Sequence, residues 1–174
     1  MEKLFWVDME MTGLDPQKEV IIEVAAIIAD LDFKEYATYE TVIRQPQKYI
    51  DGMDEWNRTH HGQSGLIAKI PNGKDQNTVE SELIKLLQEH FPDPKARPVL
   101  AGNSIHQDRR FIDLHMPKLA SVLHYRMLDV SSWKIVMKGK YGREFEKGKN
   151  HRALDDIRES INELKFYCEQ IKIS

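Results

Sequence analysis

Residues 4–44 hold three apolar stretches in close succession. They read Leu4-Phe5-Trp6-Val7-Asp8-Met9-Glu10, then Val20-Ile21-Ile22-Glu23-Val24-Ala25-Ala26-Ile27-Ile28-Ala29-Asp30, then Tyr36-Ala37-Thr38-Tyr39-Glu40-Thr41-Val42-Ile43-Arg44. Each has the length and the β-branched or aromatic content of a strand. Their connections are short, so they are predicted to pair as an antiparallel meander. Downstream the pattern changes. Residues 53–61 predict a short helix, and residues 78–90 a longer one with Val79, Leu83, Leu86 and Leu87 on one stripe and Pro92 past its end. Residues 99–102 predict a short strand, 107–115 a helix stopped by Pro117, and 125–130 another strand with a helix from Ser131. Residues 139–150 mix Gly, Lys, Arg and Glu and read as a loop, before a last and strongest helix over 153–171. Strands first, then strands alternating with helices, predict an α/β fold: a mixed β-sheet flanked by helices, one domain over residues 1–174.

Composition narrows the function classes. The chain has 174 residues, 41% of them hydrophobic and 30% charged, which is enough apolar material for a core and excludes a disordered reading. No apolar run approaches ~18 residues, so no segment is expected to span a membrane. The first strand begins within three residues of Met1, which leaves no room for a targeting peptide and points to a cytoplasmic protein. A single cysteine, Cys168, excludes an internal disulfide and a Cys-rich zinc site. With 25 Lys and Arg against 28 Asp and Glu, the formal charge is −3. That balance argues against wrapping a long nucleic acid, yet leaves room for a short anionic ligand held by a few placed groups.

The informative residues are carboxylates. On a strand, Leu4, Trp6, Asp8 and Glu10 share one face, which turns from apolar to doubly acidic at its C-terminal end. Two carboxylates a strand-step apart repel unless a cation lies between them, and the alternative is a strand end running out into water. Asp108 opens a helix after the turn Asn103-Ser104-Ile105; taken alone it reads as an acidic residue stabilised by the helix dipole. On the last helix, Leu154, Ile157, Ile161, Leu164 and Cys168 form a stripe. Asp155 then points to water, while Asp156 flanks the buried face and can look into a cleft. His151, just before, alone reads as a surface histidine. Together the pieces gain meaning. Oxygen-only ligands suit Mg²⁺ or Mn²⁺, four carboxylates can hold two such ions, and a nearby histidine can take a proton from water. No Walker A loop, Gly-x-Gly-x-x-Gly, His-Glu-x-x-His or Gly-x-Ser-x-Gly competes.

Four segments carry a family resemblance. They are Asp8-Met9-Glu10-Met11-Thr12-Gly13-Leu14, Gly102-Asn103-Ser104-Ile105-His106-Gln107-Asp108-Arg109-Arg110-Phe111, His124-Tyr125-Arg126-Met127-Leu128-Asp129-Val130-Ser131, and His151-Arg152-Ala153-Leu154-Asp155-Asp156-Ile157-Arg158-Glu159-Ser160. In this order, and over nearly the whole chain, they closely resemble the oligoribonuclease family, DEDD-type 3′-to-5′ exonucleases with a catalytic histidine on a ribonuclease-H-like fold. Asp54-Glu55-Trp56-Asn57 and Tyr125-Arg126 are the segments most specific to it. The resemblance implies that Asp8, Glu10, Asp108 and Asp156 hold two divalent cations, Mg²⁺ or Mn²⁺, with Asp8 bridging them. It makes His151 the general base that deprotonates the attacking water.

The family degrades the shortest RNAs, especially 5′-phosphorylated dinucleotides, to mononucleotides. By resemblance, Ser104, Arg126 and Ser131 cap the 5′-phosphate, and Tyr125 reaches in from the partner subunit of a homodimer. Leu14 is the wedge between the two bases, Trp56 a stacking wall, and His61 a pocket residue. For Trp56 and Tyr125 the competing readings are a core aromatic and a buried strand aromatic. Residues 138–149 depart from the family pattern, being shorter and richer in Gly where an Arg- and Trp-containing stretch ending in Pro is expected. The alternative function is a general DEDD-type exonuclease acting on longer single-stranded RNA or DNA. From a different class, a noncatalytic nucleotide-binding module would bind metal without turnover.

Overall fold

The computed structural model describes residues 2–93, 95–146 and 153–171. The predicted meander is present: β1 (Lys3–Met11), β2 (Ile21–Asp30) and β3 (Glu35–Val42) pair antiparallel. Two parallel strands, β4 (Val99–Gly102) and β5 (Met127–Asp129), extend the sheet on the other side of β1 to give the order β3-β2-β1-β4-β5. β1 is therefore central, and its two faces see different helices. Phe5, Val7, Met9 and Met11 pack against α4 (Gln76–His90), α5 (His106–His115) and α6 (Pro117–Val122). Leu4 and Trp6 pack instead against α7 (Val130–Tyr141) and α8 (Ala153–Glu169). Alternation along one strand thus sorts the core into two layers, and Asp8 and Glu10 belong to the layer that α8 covers. The result is the mixed β-sheet flanked by helices that the sequence predicts.

A third apolar cluster, Val20, Ile22, Ile50, Met53, Leu66 and Ile70, lies under three short helices that follow β3. These are α1 (Gln47–Asp51), α2 (Glu55–Gln63) and α3 (Leu66–Lys69), the last running into a 3₁₀ turn at Ile70–Asn72. The helix expected over 53–61 starts two residues later because Asp54 caps it, accepting from the Asn57 N–H at 2.8 Å.

Several expectations shift. The strand expected over 125–130 is three residues long, since β5 pairs only along Leu100–Gly102 of β4. Pro117 does end α5, but it also opens α6, where its missing N–H is harmless. α7 extends into the expected 139–150 loop as far as Tyr141 and closes at Gly142, whose φ of 62° suits glycine. The expected stripe on α8 needs correction. Cys168 is exposed and Leu154 only half-buried, and the buried line is Ala153, Ile157, Ser160, Ile161, Glu163, Leu164 and Tyr167. Among the described residues no helix is long and apolar enough to cross a membrane.

Candidate active site

β1 and α8 bring three of the predicted carboxylates together. Ligand oxygens of Asp8, Glu10 and Asp156 all lie within 4.8 Å of one another, each side chain half-buried. The cause is the packing just described. Trp6 lies in one buried cluster with Ala153 and Ile157, so the first turn of α8 rests over the end of β1 and Asp156 falls beside its acidic pair. Glu23, opposite Glu10 on β2, adds a further negative charge. Burial first, then Glu23 and Asp156, push the Glu10 carboxyl up to about 7.

Asp108 reaches β1 by a different route. β4 pairs with β1 only as far as Trp6, and further along β1 the N–H of Met9 is taken by the Asp108 carboxylate at 3.0 Å. That bond draws α5 onto the strand and leaves Asp108 6% exposed. Desolvation, with Glu10 and Asp129 adding, pushes its carboxyl up to about 7 even though the Met9 N–H favours the charged form. Gly102 allows the close approach: a Cβ there would meet the Val7 carbonyl oxygen at 2.8 Å. Carboxylates gathered this closely, Glu10 and Asp108 with raised pKa values, suit hard divalent cations, which neutralise the repulsion that burial intensifies. His151 lies outside the described residues.

His61 is buried in α2 with its Nε2 2.9 Å from the Met11 carbonyl and its Nδ1 3.9 Å from Glu10 Oε2. Burial lowers its pKa, which favours the neutral ring. The Met11 carbonyl then receives the Nε2 proton. Beside it a cavity of about 220 Å³ opens, lined by Glu10, Glu23, His60, His61 and Lys69 among others. One turn earlier on α2, Trp56 is 69% exposed and stacked on His60 at 5.0 Å, which removes the core-aromatic reading.

Leu14, 74% exposed, caps the turn after β1. The turn is tied down on both sides. Thr12 and Val20 exchange bonds of 3.0 Å, Thr12 donates its hydroxyl to Glu19, and Gln107 Nε2 donates to the Leu14 carbonyl at 2.6 Å. An exposed apolar side chain on a braced turn is a presented group rather than a slack one.

Of the remaining predicted residues, Ser104 and Ser131 meet just past the C-terminal ends of β4 and β5, whereas Tyr125 and Arg126 precede β5 at its N-terminal end. Ser104 has a φ of 50°, unusual for a residue with a side chain. Its N–H donates to Asp129 Oδ1 at 3.0 Å and Ser131 Oγ at 2.9 Å, and the two serine hydroxyls are 3.1 Å apart. Asp129 also caps α7 through the Ser131 N–H at 2.9 Å. Arg126 lies exposed 5.3 Å from the Tyr125 ring centre, and Tyr125 stacks on His124 at 4.5 Å. Tyr125 is 73% exposed, so it is not a buried strand aromatic.

The structure thus joins Asp8, Glu10 and Asp156 directly, ties Asp108 to their strand, and joins Ser104 to Ser131. Leu14, Trp56 and Tyr125 stand out from the surface instead. Sequence reasoning missed Asp129, Asn103 and Gln107 as organisers of this region. An aspartate two residues before Ser131 at a helix start was a usable capping signal for the first.

Known proteins resemble the chain at both levels. The RNase T family model, described as an exonuclease, matches residues 5–164. The chain is similar to the oligoribonuclease of Pseudomonas aeruginosa, 44% identical over 171 residues that cover 95% of this chain and 94% of that one. It is similar as well to that of Bordetella pertussis, 45% identical over 179 residues, covering 97% and 95%. Among solved structures, an exonuclease I from Methylocaldum szegediense superposes with a TM-score of 0.67 at 16% identity over 98% of this chain. E. coli exonuclease I in complex with a dT13 oligonucleotide gives 0.68 at 15% identity over 95%. The chain spans 41% of each of those longer chains, and the likeness shows a shared fold.

Proposed function

The chain belongs to the oligoribonucleases, within the RNase T exonuclease family, and is a 3′-to-5′ exoribonuclease; from that premise we propose that its substrates are 5′-phosphorylated RNA dinucleotides, cut to nucleoside 5′-monophosphates as the last step of RNA degradation. The observation that carries the hydrolysis is the convergence of Asp8, Glu10 and Asp156 within 4.8 Å. Asp8, Glu10, Asp108 and Asp156 would hold two divalent cations, Mg²⁺ or Mn²⁺. When bound, such ions supply Lewis-acid activation of the water and of the phosphoryl oxygens.

The chain's own groups do the rest. His151 takes the proton of the attacking water as its oxygen bonds to the phosphorus of the 3′-terminal nucleotide. The bond from phosphorus to the 3′-oxygen of the preceding nucleotide breaks, and that oxygen takes a proton from solvent water as it leaves. Ser104, Ser131 and Arg126 receive the 5′-phosphate, the arginine through its planar fork of donors. Leu14 enters between the bases, Trp56 walls the pocket, and His61 holds the end of β1 beside it. Tyr125 acts across a homodimer. Its exposure supports this, together with that of Met127, Ile135, Val136 and Tyr141 on β5 and α7, an apolar set suited to a second copy of the chain. Residues 1–174 form one exonuclease domain, working in the cytoplasm where short RNAs arise.

The test is Mn²⁺-dependent hydrolysis of 5′-phosphorylated RNAs two to seven nucleotides long. Dinucleotide turnover should exceed that of every longer RNA. The second reading, a general exonuclease on longer single strands, is favoured by the shared fold of exonuclease I in its dT13 complex. It predicts a flat length profile, and that profile would discard the phosphate cap while keeping the acidic cluster.

A further inference from the structure

Ser104 and Ser131 come from separate segments, yet their hydroxyls meet, and Ser104 holds a backbone conformation that costs a residue with a side chain. Beneath them lies Asn103. Its Nδ2 donates to Ser160 Oγ at 2.7 Å and to Glu163 Oε2 at 3.2 Å, both on α8. Its Oδ1 accepts the Ser131 hydroxyl at 3.3 Å. Ser160 in turn donates to the Asp156 carbonyl at 2.9 Å, and Tyr167 donates its hydroxyl to Glu163 Oε1 at 2.9 Å. Glu163 and Tyr167 are fully buried. A carboxylate buried on the core face of a helix is costly unless its oxygens are bonded, and neither the water-activating nor the phosphate-binding groups require this one. Its place is explained by what it holds.

We propose that Asn103 is a positioning residue for the Ser104–Ser131 pair, anchored on the Ser160–Glu163–Tyr167 face of α8. The inference rests on the reading of that pair as the 5′-phosphate site. α8 also carries Asp156, so one rigid helix sets both the acidic cluster and, through Asn103, the phosphate end. The span between them is then fixed by a helix instead of by the loop that contains Ser104. A fixed span acts as a length gauge: a substrate whose 5′-phosphate falls beyond it forfeits that contact.

The experiment compares kcat/KM on three substrates: pApA, ApA without the 5′-phosphate, and the p-nitrophenyl ester of thymidine 5′-monophosphate, which reports the acidic cluster alone. Wild type should prefer pApA to ApA. Asn103→Ala should lose about tenfold on pApA, mostly in KM, as expected for losing one hydrogen-bonded anchor, with the other two substrates unchanged. Ser160→Ala, which leaves Asn103 in place, should show the same pattern at about threefold, and it carries the test if Asn103→Ala does not fold. Equal loss on all three substrates would mean that Asn103 merely supports α8, and unchanged pApA turnover would mean that it supports nothing of the site; either overturns the inference. A wild type that treats pApA and ApA alike removes the phosphate reading itself, and the inference with it. A preserved wild-type preference beside unaffected variants removes the inference only.

Discussion

The acidic cluster and the rim around it are built from opposite materials. Asp8, Glu10 and Asp156 sit on a central strand and a long helix, fixed by the buried Trp6, Ala153 and Ile157, and they gather negative charge in one place. Leu14, Trp56 and Tyr125 project from a turn, an outer helix face and a strand approach, and they are short of apolar cover, each about 70% exposed. Repulsion at the first and bare apolar surface at the second are both unfavourable in the isolated chain. On the function proposed above, divalent cations answer the first, and stacked bases or a second subunit the second. The acidic cluster is thus tied to core-packed elements, and the exposed trio lies where substitution disturbs the fold least.

The largest effect should come from separating charge from shape at Asp108. Asp108→Asn keeps an oxygen for the Met9 N–H but gives up the negative charge. Hydrolysis of pApA should fall about a thousandfold or more, because a lost ion ligand costs several kcal/mol of transition-state stabilisation. Thermal stability without divalent cations should hold or rise, because a desolvated carboxylate whose pKa is driven up disfavours the fold when charged. Loss of activity accompanied by an equal collapse of Tm would make Asp108 a structural strut and break the contrast.

Tyr125→Ala probes the other region. At 73% exposure its removal should leave Tm within about a degree or two, since surface substitutions are worth roughly half a kcal/mol. Turnover of pApA should drop about ten- to a hundredfold, the range of a lost partly desolvated contact of one to three kcal/mol. Sedimentation under the same conditions tells whether the subunits still pair. A variant that stays dimeric and fully active would take Tyr125 out of the site.

The same contrast governs how much was legible beforehand. The acidic end of β1 was readable because alternation assigns Leu4, Trp6, Asp8 and Glu10 to one face without any tertiary information. β4 was placed at its observed bounds, 99–102, where Pro98 and the Gly102-Asn103 turn bracket an apolar run. The stripe of α8 was misjudged by about one position. Its buried face includes Ser160 and Glu163, polar residues accepted inside because they are hydrogen-bonded, to Asp156 and Tyr167 on the helix itself and to Asn103, 57 residues or more away in sequence. α1, α3 and α6 run four to six residues, too short to complete a hydrophobic period. Asp129 escaped because its work is done on backbone N–H groups of Ser104 and Ser131, which a side-chain pattern does not display. Pairing between distant segments was the common missing ingredient.

The smallest effect sharpens the charge side of the comparison, and its sign follows from proton binding. Glu10 and Asp108 are pushed up to about 7 in the folded chain, from ordinary values of 4.5 and 3.8. Between those limits the folded chain holds protons that the unfolded chain has released, so its stability is fully present at the acid side and is lost as pH rises through about 7. Asp30 and Glu82, whose pKa values are lowered by the Tyr36 hydroxyl and the Lys74 ammonium, work the other way, but their stabilisation is full above their ordinary values of 3.8 and 4.5 and is lost as pH falls below them. His61, whose pKa burial lowers, opposes Glu10 and Asp108 as pH rises towards 6.5, but it is one group against two, so from pH 5 to 8 in EDTA Tm should decline by a few degrees. Saturating Mn²⁺ should raise Tm most at pH 8, where the carboxylates are ionised and the cation replaces the lost protons. Asp108→Asn should lessen the decline in EDTA and shrink the Mn²⁺ gain together, because that carboxylate contributes to both. A Tm that climbs steadily to pH 8 in EDTA, or a Mn²⁺ gain that Asp108→Asn leaves whole, would show that the cluster's repulsion is not what the cations relieve.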